Sequence, residues 1–191
     1  MITSAVERGA RARIEDAAID LMGKRGVAGT TTQDIAQRAR CSQAAIYKYW
    51  ESKEALAEER FVDALTLLIE DMRSRAAAYT SPSERTLGAL LGLLQFAREH
   101  PSEYAFLFHV FHSDYARWLG SHPKPRDVVL KEIRTAMRAG EVAKGNAEMK
   151  TALLLGMTIR LAFFERQKLV GAGPSELDEG LRQAAAVVLE N

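Results

Sequence analysis

Cysteine is almost missing from this sequence. Cys41 is the only one in 191 residues, so no intrachain disulfide can form, and a reducing, cytoplasmic setting is expected. Long apolar runs are missing too. The longest apolar region, Thr151 to Phe164, has Arg160 inside it and falls short of the ~18 residues of a membrane span. No membrane partner is therefore expected. Residues Met1 to Arg13 lack the apolar centre of a signal peptide. Charge of one sign is not in excess: the formal net charge is +1, so any nucleic-acid binding must come from a local patch. Proline and glycine, at 5 and 13 residues, are too few for a fibrous or disordered chain. There is no phosphate-cradling Gly loop, no nucleophile elbow and no convincing acid–base pair, so no enzyme, no catalytic residue and no cofactor is expected. His109 and His112 stand at i, i+3, but no third or fourth ligand lies near, and no metal site is expected.

What the chain does have is helical periodicity. Ile14, Ala17, Ala18, Leu21 and Met22 form an apolar stripe at i, i+3, i+4, i+7 and i+8. Lys24, Arg25 and Gly26 close this first helix. Thr31-Thr32-Gln33-Asp34 reads as a capping box with Asp in place of Glu, opening a short second helix whose buried side is Ile35, Ala36 and Ala39. Arg40-Cys41 is a tight connection. Ser42 caps a third helix, Gln43 to about Tyr49, with Ile46 and Trp50 facing inward. Ser52 caps a long fourth helix that ends before Ser81-Pro82-Ser83. Pro and Gly breaks then divide the rest into helices over about 83–99, 102–119, 124–139, 147–169 and 175–189. The expected fold is all-α: a three-helix head over residues 1–53, joined by a long helix to a helical bundle within residues 54–191.

Two short helices with a tight turn, propped by an amphipathic first helix, make a helix-turn-helix. The second helix of such a pair enters a groove about 12 Å wide, so its outer face must be small or flexible. Gln43, Ala44, Tyr47 and Lys48 occupy that face. Gln43 offers a donor and an acceptor to a base edge. Thr32 and Ser42 stand at helix N-termini, where free amides suit phosphate. Tyr47, Lys48, Tyr49 and Lys53 add phosphate contacts, which position the protein without specifying sequence. Between Arg38 and Lys53 four cations (Arg38, Arg40, Lys48, Lys53) face one anion, Glu51. Arg8, Arg11 and Arg13 lie near the same end. Cys41 reads either as a structural residue of the turn or as a redox-sensitive thiol near a helix start.

Residues Arg11 to Leu56 resemble the DNA-binding head of the tetracycline-repressor (TetR) family. The resemblance rests on Ile14, Ala17-Ala18, Gly26, Thr30-Thr31-Thr32, Asp34-Ile35-Ala36, Ser42, Tyr47, an aromatic at position 50, Ser52-Lys53-Glu54 and Leu56. It implies a homodimeric repressor that binds double-stranded DNA and is released when a small-molecule effector occupies the C-terminal domain. By position it implies DNA contacts from Thr32, Cys41, Ser42, Gln43, Ala44, Tyr47, Lys48, Tyr49 and Lys53. It also implies dimerisation through the last two helices. The chain departs from the family at two places. Arg40 stands where Gly is usual, and Tyr49-Trp50 where His-Phe is usual. A dimer requires two half-sites about a two-fold axis, hence a pseudo-palindromic operator.

The body is rich in aromatics, among them Tyr104, Phe106, Phe108, Phe111, Tyr115 and Trp118. They either line an apolar pocket or fill a core. The candidate effector contacts are Phe96, Tyr104, Phe108, Phe111, His112, Met137, Met157, Arg160 and Phe164. Arg160 shares a face with Met157, Phe163 and Phe164, so its charge needs an anionic ligand, an internal carboxylate such as Glu165 or Glu103, or a route to solvent. Competing readings are a helical adaptor that uses the head to dock a protein, and a regulator without a small-molecule effector. Steep salt dependence of DNA binding separates the first of these from a DNA-binding protein.

Overall fold

The structure, a computed structural model, describes residues 2–190, without the side chains of residues 2–8 and 114–116. Arg8 and Tyr115 therefore fall outside the described side chains. The elements are α1 (Ile2–Arg25), α2 (Thr32–Ala39), α3 (Gln43–Tyr47), α4 (Lys53–Ala77), α5 (Pro82–Glu99), α6 (Pro101–Phe111), a 3-10 turn (Asp114–Leu119), α7 (Pro125–Ala139), α8 (Ala147–Arg166) and α9 (Pro174–Glu190). The fold is all-α, and no strand occurs among the described residues.

Two compact units form. One joins the chain up to Leu65 with His100–His122; the other joins Thr66–Glu99 with the chain from Pro123 onward. In the first unit the expected α1 stripe is buried: Ile14, Ala18 and Met22 are fully enclosed. Helix α1 packs on α2 and on α6. The α6 contact is close at Gly23, where an added Cβ would stand 2.7 Å from the Ser102 carbonyl. A larger residue there would push the two helices apart. Phe61 of α4 completes this core, edge-on to Phe111 with ring centroids 5.9 Å apart.

In the second unit α5 is the central helix. Leu90, Leu91, Leu93, Leu94 and Phe96 are all buried, so burial runs round the helix rather than along one stripe. It packs on α7, α8 and α9. Gly92 lets it close on α4, since a Cβ there would meet the Met72 Cα at 2.8 Å. Lys150 is buried in this unit. Its ammonium donates to the carbonyls of Val188 and Leu189 at 2.8 and 3.3 Å, which satisfies acceptors at the end of α9 that have no intrahelical partner.

Three helix ends differ from those read in the sequence. The helix expected over 102–119 stops at Phe111. Ser113 gives both its amide and its hydroxyl to the Val110 carbonyl, at 3.2 and 3.0 Å, and this local bonding competes with helix propagation. The helix expected to reach residue 169 stops at Arg166. There Lys168 turns left-handed (φ 55°) and the Leu169 amide closes on the Phe164 carbonyl at 2.9 Å. Helix α3 ends at Tyr47, and Lys48 and Tyr49 continue it as a turn.

Candidate nucleic-acid interface

The head is assembled by caps. Thr31 Oγ1 accepts from the Asp34 amide at 3.1 Å, while Asp34 Oδ2 accepts from the Thr31 amide at 3.0 Å. Asp thus fills the role Glu usually plays in a capping box. At the other end of α2, Arg40 takes the left-handed conformation (φ 53°, ψ 52°). Its amide donates to the Gln37 carbonyl at 3.2 Å, and the Cys41 amide to that of Ala36 at 3.0 Å. Such a turn favours Gly; a side chain there costs about 1–2 kcal/mol. Ser42 then caps α3, its Oγ accepting from the Ala45 amide at 3.2 Å.

Helix α3 shows two faces. Ile46 is fully buried and Trp50, just beyond, is 4% exposed. Ser42, Gln43, Ala44, Tyr47 and Lys48 lie exposed, with Tyr47 at 53%. An outer face that combines an amide, a methyl, a phenol and an ammonium can enter a groove and bond base edges and phosphates.

Polar bonds fix this helix to its neighbours. Trp50 Nε1 donates to Glu59 Oε2 at 2.8 Å. Glu59 Oε1 also takes Arg11 and Arg60, each at 2.6 Å, and the Arg11 guanidinium lies 5.2 Å from the Trp50 ring centroid. Arg60 further pairs with Glu15 at 3.4 Å and Asp63 at 2.6 Å. Burial raises the affinity of the Glu59 carboxyl for its proton, but the bonds from Trp50, Arg11 and Arg60 outweigh it and hold the group below the ordinary glutamate range. A second node is Asp20. Hydrogen bonds from Lys24 and then Arg38 keep its carboxyl below the usual aspartate range.

The sequence-expected DNA residues divide. Ser42, Gln43, Ala44, Tyr47 and Lys48 share the exposed side of α3, with half-buried Cys41 just before them. Thr32 is half-buried at the start of α2, and Tyr49 is half-buried against Trp50, ring centroids 5.5 Å apart. Lys53 is placed differently from the rest. Its ammonium is turned inward to the carbonyls of Val27 and Thr30, at 2.8 and 2.9 Å, because these acceptors beyond the end of α1 lack a helical partner.

The expected effector residues are not gathered into one cavity within either unit. Phe96 is fully buried and Tyr104 nearly so. Phe108 and His112 border a small cleft of about 190 Å³ beside Gly26 and Val27, and His112 Nδ1 lies 2.9 Å from the Phe108 carbonyl. Phe111 packs on Phe61. Met137 and Phe164 are half-buried. Met157 borders a groove of about 570 Å³ between α8 and α9. Arg160 is exposed, which is the route to solvent among the three outcomes open to its charge. Its guanidinium lies over the rings of Phe163 and Phe164, 4.8 and 4.4 Å from their centroids. Glu165, an expected partner, instead holds Arg98 at 2.8 Å.

Glu59 went unnoticed in the sequence, where an acid on an amphipathic helix reads as a solvated charge. The available signal was its place nine residues after a tryptophan that sits where a phenylalanine is usual.

Residues 14–59 match the family described as bacterial regulatory proteins, tetR family. An HTH-type transcriptional regulator of Mycobacterium tuberculosis is 32% identical over 90 residues, 47% of this chain and 45% of that one. The HTH-type regulator YdeS of Bacillus subtilis is 37% identical over 60 residues, 31% of this chain and 30% of that one. The chain thus spans about half the length, or less, of the curated relatives it matches. Likeness in fold extends further. A TetR family transcription regulator from Marinobacter aquaeolei superposes with a TM-score of 0.80 at 16% identity, over 98% of this chain and 100% of that one. The regulator FadR of Bacillus subtilis, solved in complex with stearoyl-CoA, gives 0.73 at 13% identity, over 94% and 97%.

Proposed function

We propose that this chain, which belongs to the TetR family of bacterial regulatory proteins, is a homodimeric repressor that holds a pseudo-palindromic operator until a small, largely apolar effector releases it. Residues 1–53 form the DNA-reading head, and residues 54–191 the body that dimerises and takes the effector. The observation that carries the reading is the outward face of α3. Gln43, Ala44, Tyr47 and Lys48 stand exposed there, while Ile46 and Trp50 anchor the helix from behind. Gln43 reads a base edge, and Tyr47 and Lys48 bind phosphates. Thr32, Cys41, Ser42 and Tyr49 border the same contact.

Dimerisation is supported by α8 and α9. Met149, Leu153 and Val187 are 58%, 50% and 61% exposed. The groove between the helices is lined by Met157, Leu161, Val170, Leu177, Leu181 and Ala184. An added Cβ at Gly156 or Gly180 would meet nothing, so these helix faces are open to close approach by a second copy. An apolar effector is favoured by the fold's likeness to FadR, a regulator solved with stearoyl-CoA.

The test is fluorescence anisotropy with DNA from immediately upstream of the gene, against scrambled DNA, at two salt concentrations. Tight, salt-sensitive binding that prefers the upstream duplex is expected, and saturated acyl-CoA should weaken it. Equal, salt-independent affinity for both duplexes would refute the reading.

A further inference from the structure

The turn between α2 and α3 borders a groove of about 350 Å³, lined by Arg13, Asp16, Ala17, Arg38, Ala39 and Arg40. Three guanidiniums and one carboxylate meet there, and the three cations are differently engaged. Arg38 gives Nε and Nη2 to Asp20 at 3.1 and 2.8 Å. Arg13 gives Nε to the Ala39 carbonyl at 3.2 Å. The exposed Arg40 guanidinium makes no hydrogen bond or ion pair among the described residues. Yet Arg40 holds a left-handed backbone, φ 53°, in which Gly would carry no strain. A side chain kept in strain with no bond inside the fold points to a partner outside it.

We propose that Arg40 binds a DNA phosphate, with Arg13 beside it, at the rim of the groove that α3 enters. The proposal rests on the reading of α3 given above and adds a residue to it. Placement supports it. Arg40 precedes Gln43 by three residues, a chain reach of at most about 10 Å. The phosphates flank a groove whose half-width is about 6 Å. A long side chain at the turn therefore stands over the backbone while Gln43 stands over the bases. Asp16 leaves the groove with a surplus of positive charge, and Arg38, already held by Asp20, acts as a fixed wall rather than a free ligand.

The experiment compares the full-length protein with Arg40→Gly, Arg40→Lys and Tyr47→Ala on a duplex that the protein selects from a randomised library. Binding is titrated from 50 to 200 mM chloride, and thermal unfolding is followed in parallel. Arg40→Gly should melt about 2 °C higher, since strain is relieved, yet bind roughly tenfold more weakly. The slope of log affinity against log salt should fall by about 1. Arg40→Lys should keep the slope. Unchanged affinity and slope in Arg40→Gly, with Tyr47→Ala weakened, would overturn this inference alone. So would an equal loss of slope in Arg40→Lys, which would make the role conformational. If no duplex is selected, the reading of α3 fails and the inference with it. A free anion is distinguished by repeating the titration in inorganic phosphate at matched ionic strength. Like curves in phosphate and chloride are expected. Weakening by phosphate in the wild type but not in Arg40→Gly would assign the groove to a free anion and overturn the clamp.

Discussion

Replacing Trp50 by Phe tests whether the recognition helix is held by a polar bond or by ring packing alone. The change keeps an aromatic ring at a position 4% exposed but removes the indole N–H that reaches Glu59 at 2.8 Å. A bond to an ionised group contributes about 1.5–3 kcal/mol. The Glu59 side chain is 38% exposed, so water competes for it and about 1 kcal/mol is the appropriate figure. The smaller ring leaves a void worth about 1 kcal/mol more. A loss of about 2 kcal/mol lowers Tm by roughly 4–8 °C. Calorimetry on Trp50→Phe, Glu59→Leu and the double variant isolates the bond as a coupling of about 1 kcal/mol. The acid limb gives a second readout. Glu59 has its pKa held down in the fold, so its stabilisation is present above the unfolded-state pKa and lost as pH falls through the folded one. Trp50→Phe weakens that depression, so the variant should lose less stability than the wild type on acidification below about pH 5. Additive single losses and parallel acid limbs would refute the argument.

Lys53→Met should lower Tm, because the Thr30 carbonyl loses its ammonium donor and the Val27 carbonyl keeps only the Thr30 amide at 3.3 Å, while leaving the salt slope of DNA binding unchanged; a slope reduced by about 1 would restore Lys53 to the phosphate contacts. Lys150→Met should cost about 1–3 kcal/mol, because the Val188 carbonyl loses its ammonium donor while that of Leu189 keeps the Ala143 amide at 3.1 Å; a melting curve equal to the wild type's would show that the Val188 carbonyl finds another partner. Leu153→Glu places a charge on the open face of α8 and should give a monomer by light scattering where the proposed dimer forms in the wild type, with operator affinity falling steeply. A variant that stays dimeric would move the interface elsewhere.

Helix number, order and most caps were legible in the sequence because they rest on local signals. The α1 stripe, the Thr31–Asp34 box and the Ser42 cap are all present where the pattern put them. Ends set by competition were less legible. Ser113 closes α6 by bonding Val110, and nothing in composition ranks that bond above one more helical turn. The exposed face of α3 could be read because it is the complement of two inward residues, Ile46 and Trp50. Long-range choices could not. The neighbours of Arg160 in sequence leave a buried and a solvent-facing position equally open, because a helix face is buried only if another element covers it. The face of α8 that carries Arg160 ends exposed, with the guanidinium lying over two rings.

The positive charge of the head shows the same distinction. Counting along the sequence gives four cations against one anion from Arg38 to Lys53, as if all four faced DNA. The fold assigns them separate tasks. Arg38 is held by Asp20 and Lys53 by two carbonyls, so neither ammonium nor guanidinium is available without breaking a bond. Lys48 and Arg40 are exposed, one at the end of α3 and the other before its start. A cation already bonded inside the fold must break that bond before it can take a phosphate. The salt slope of operator binding should therefore reflect fewer contacts per head than the count of basic residues suggests. Removing Arg40 should lower it, whereas removing Arg38 or Lys53 should change stability instead.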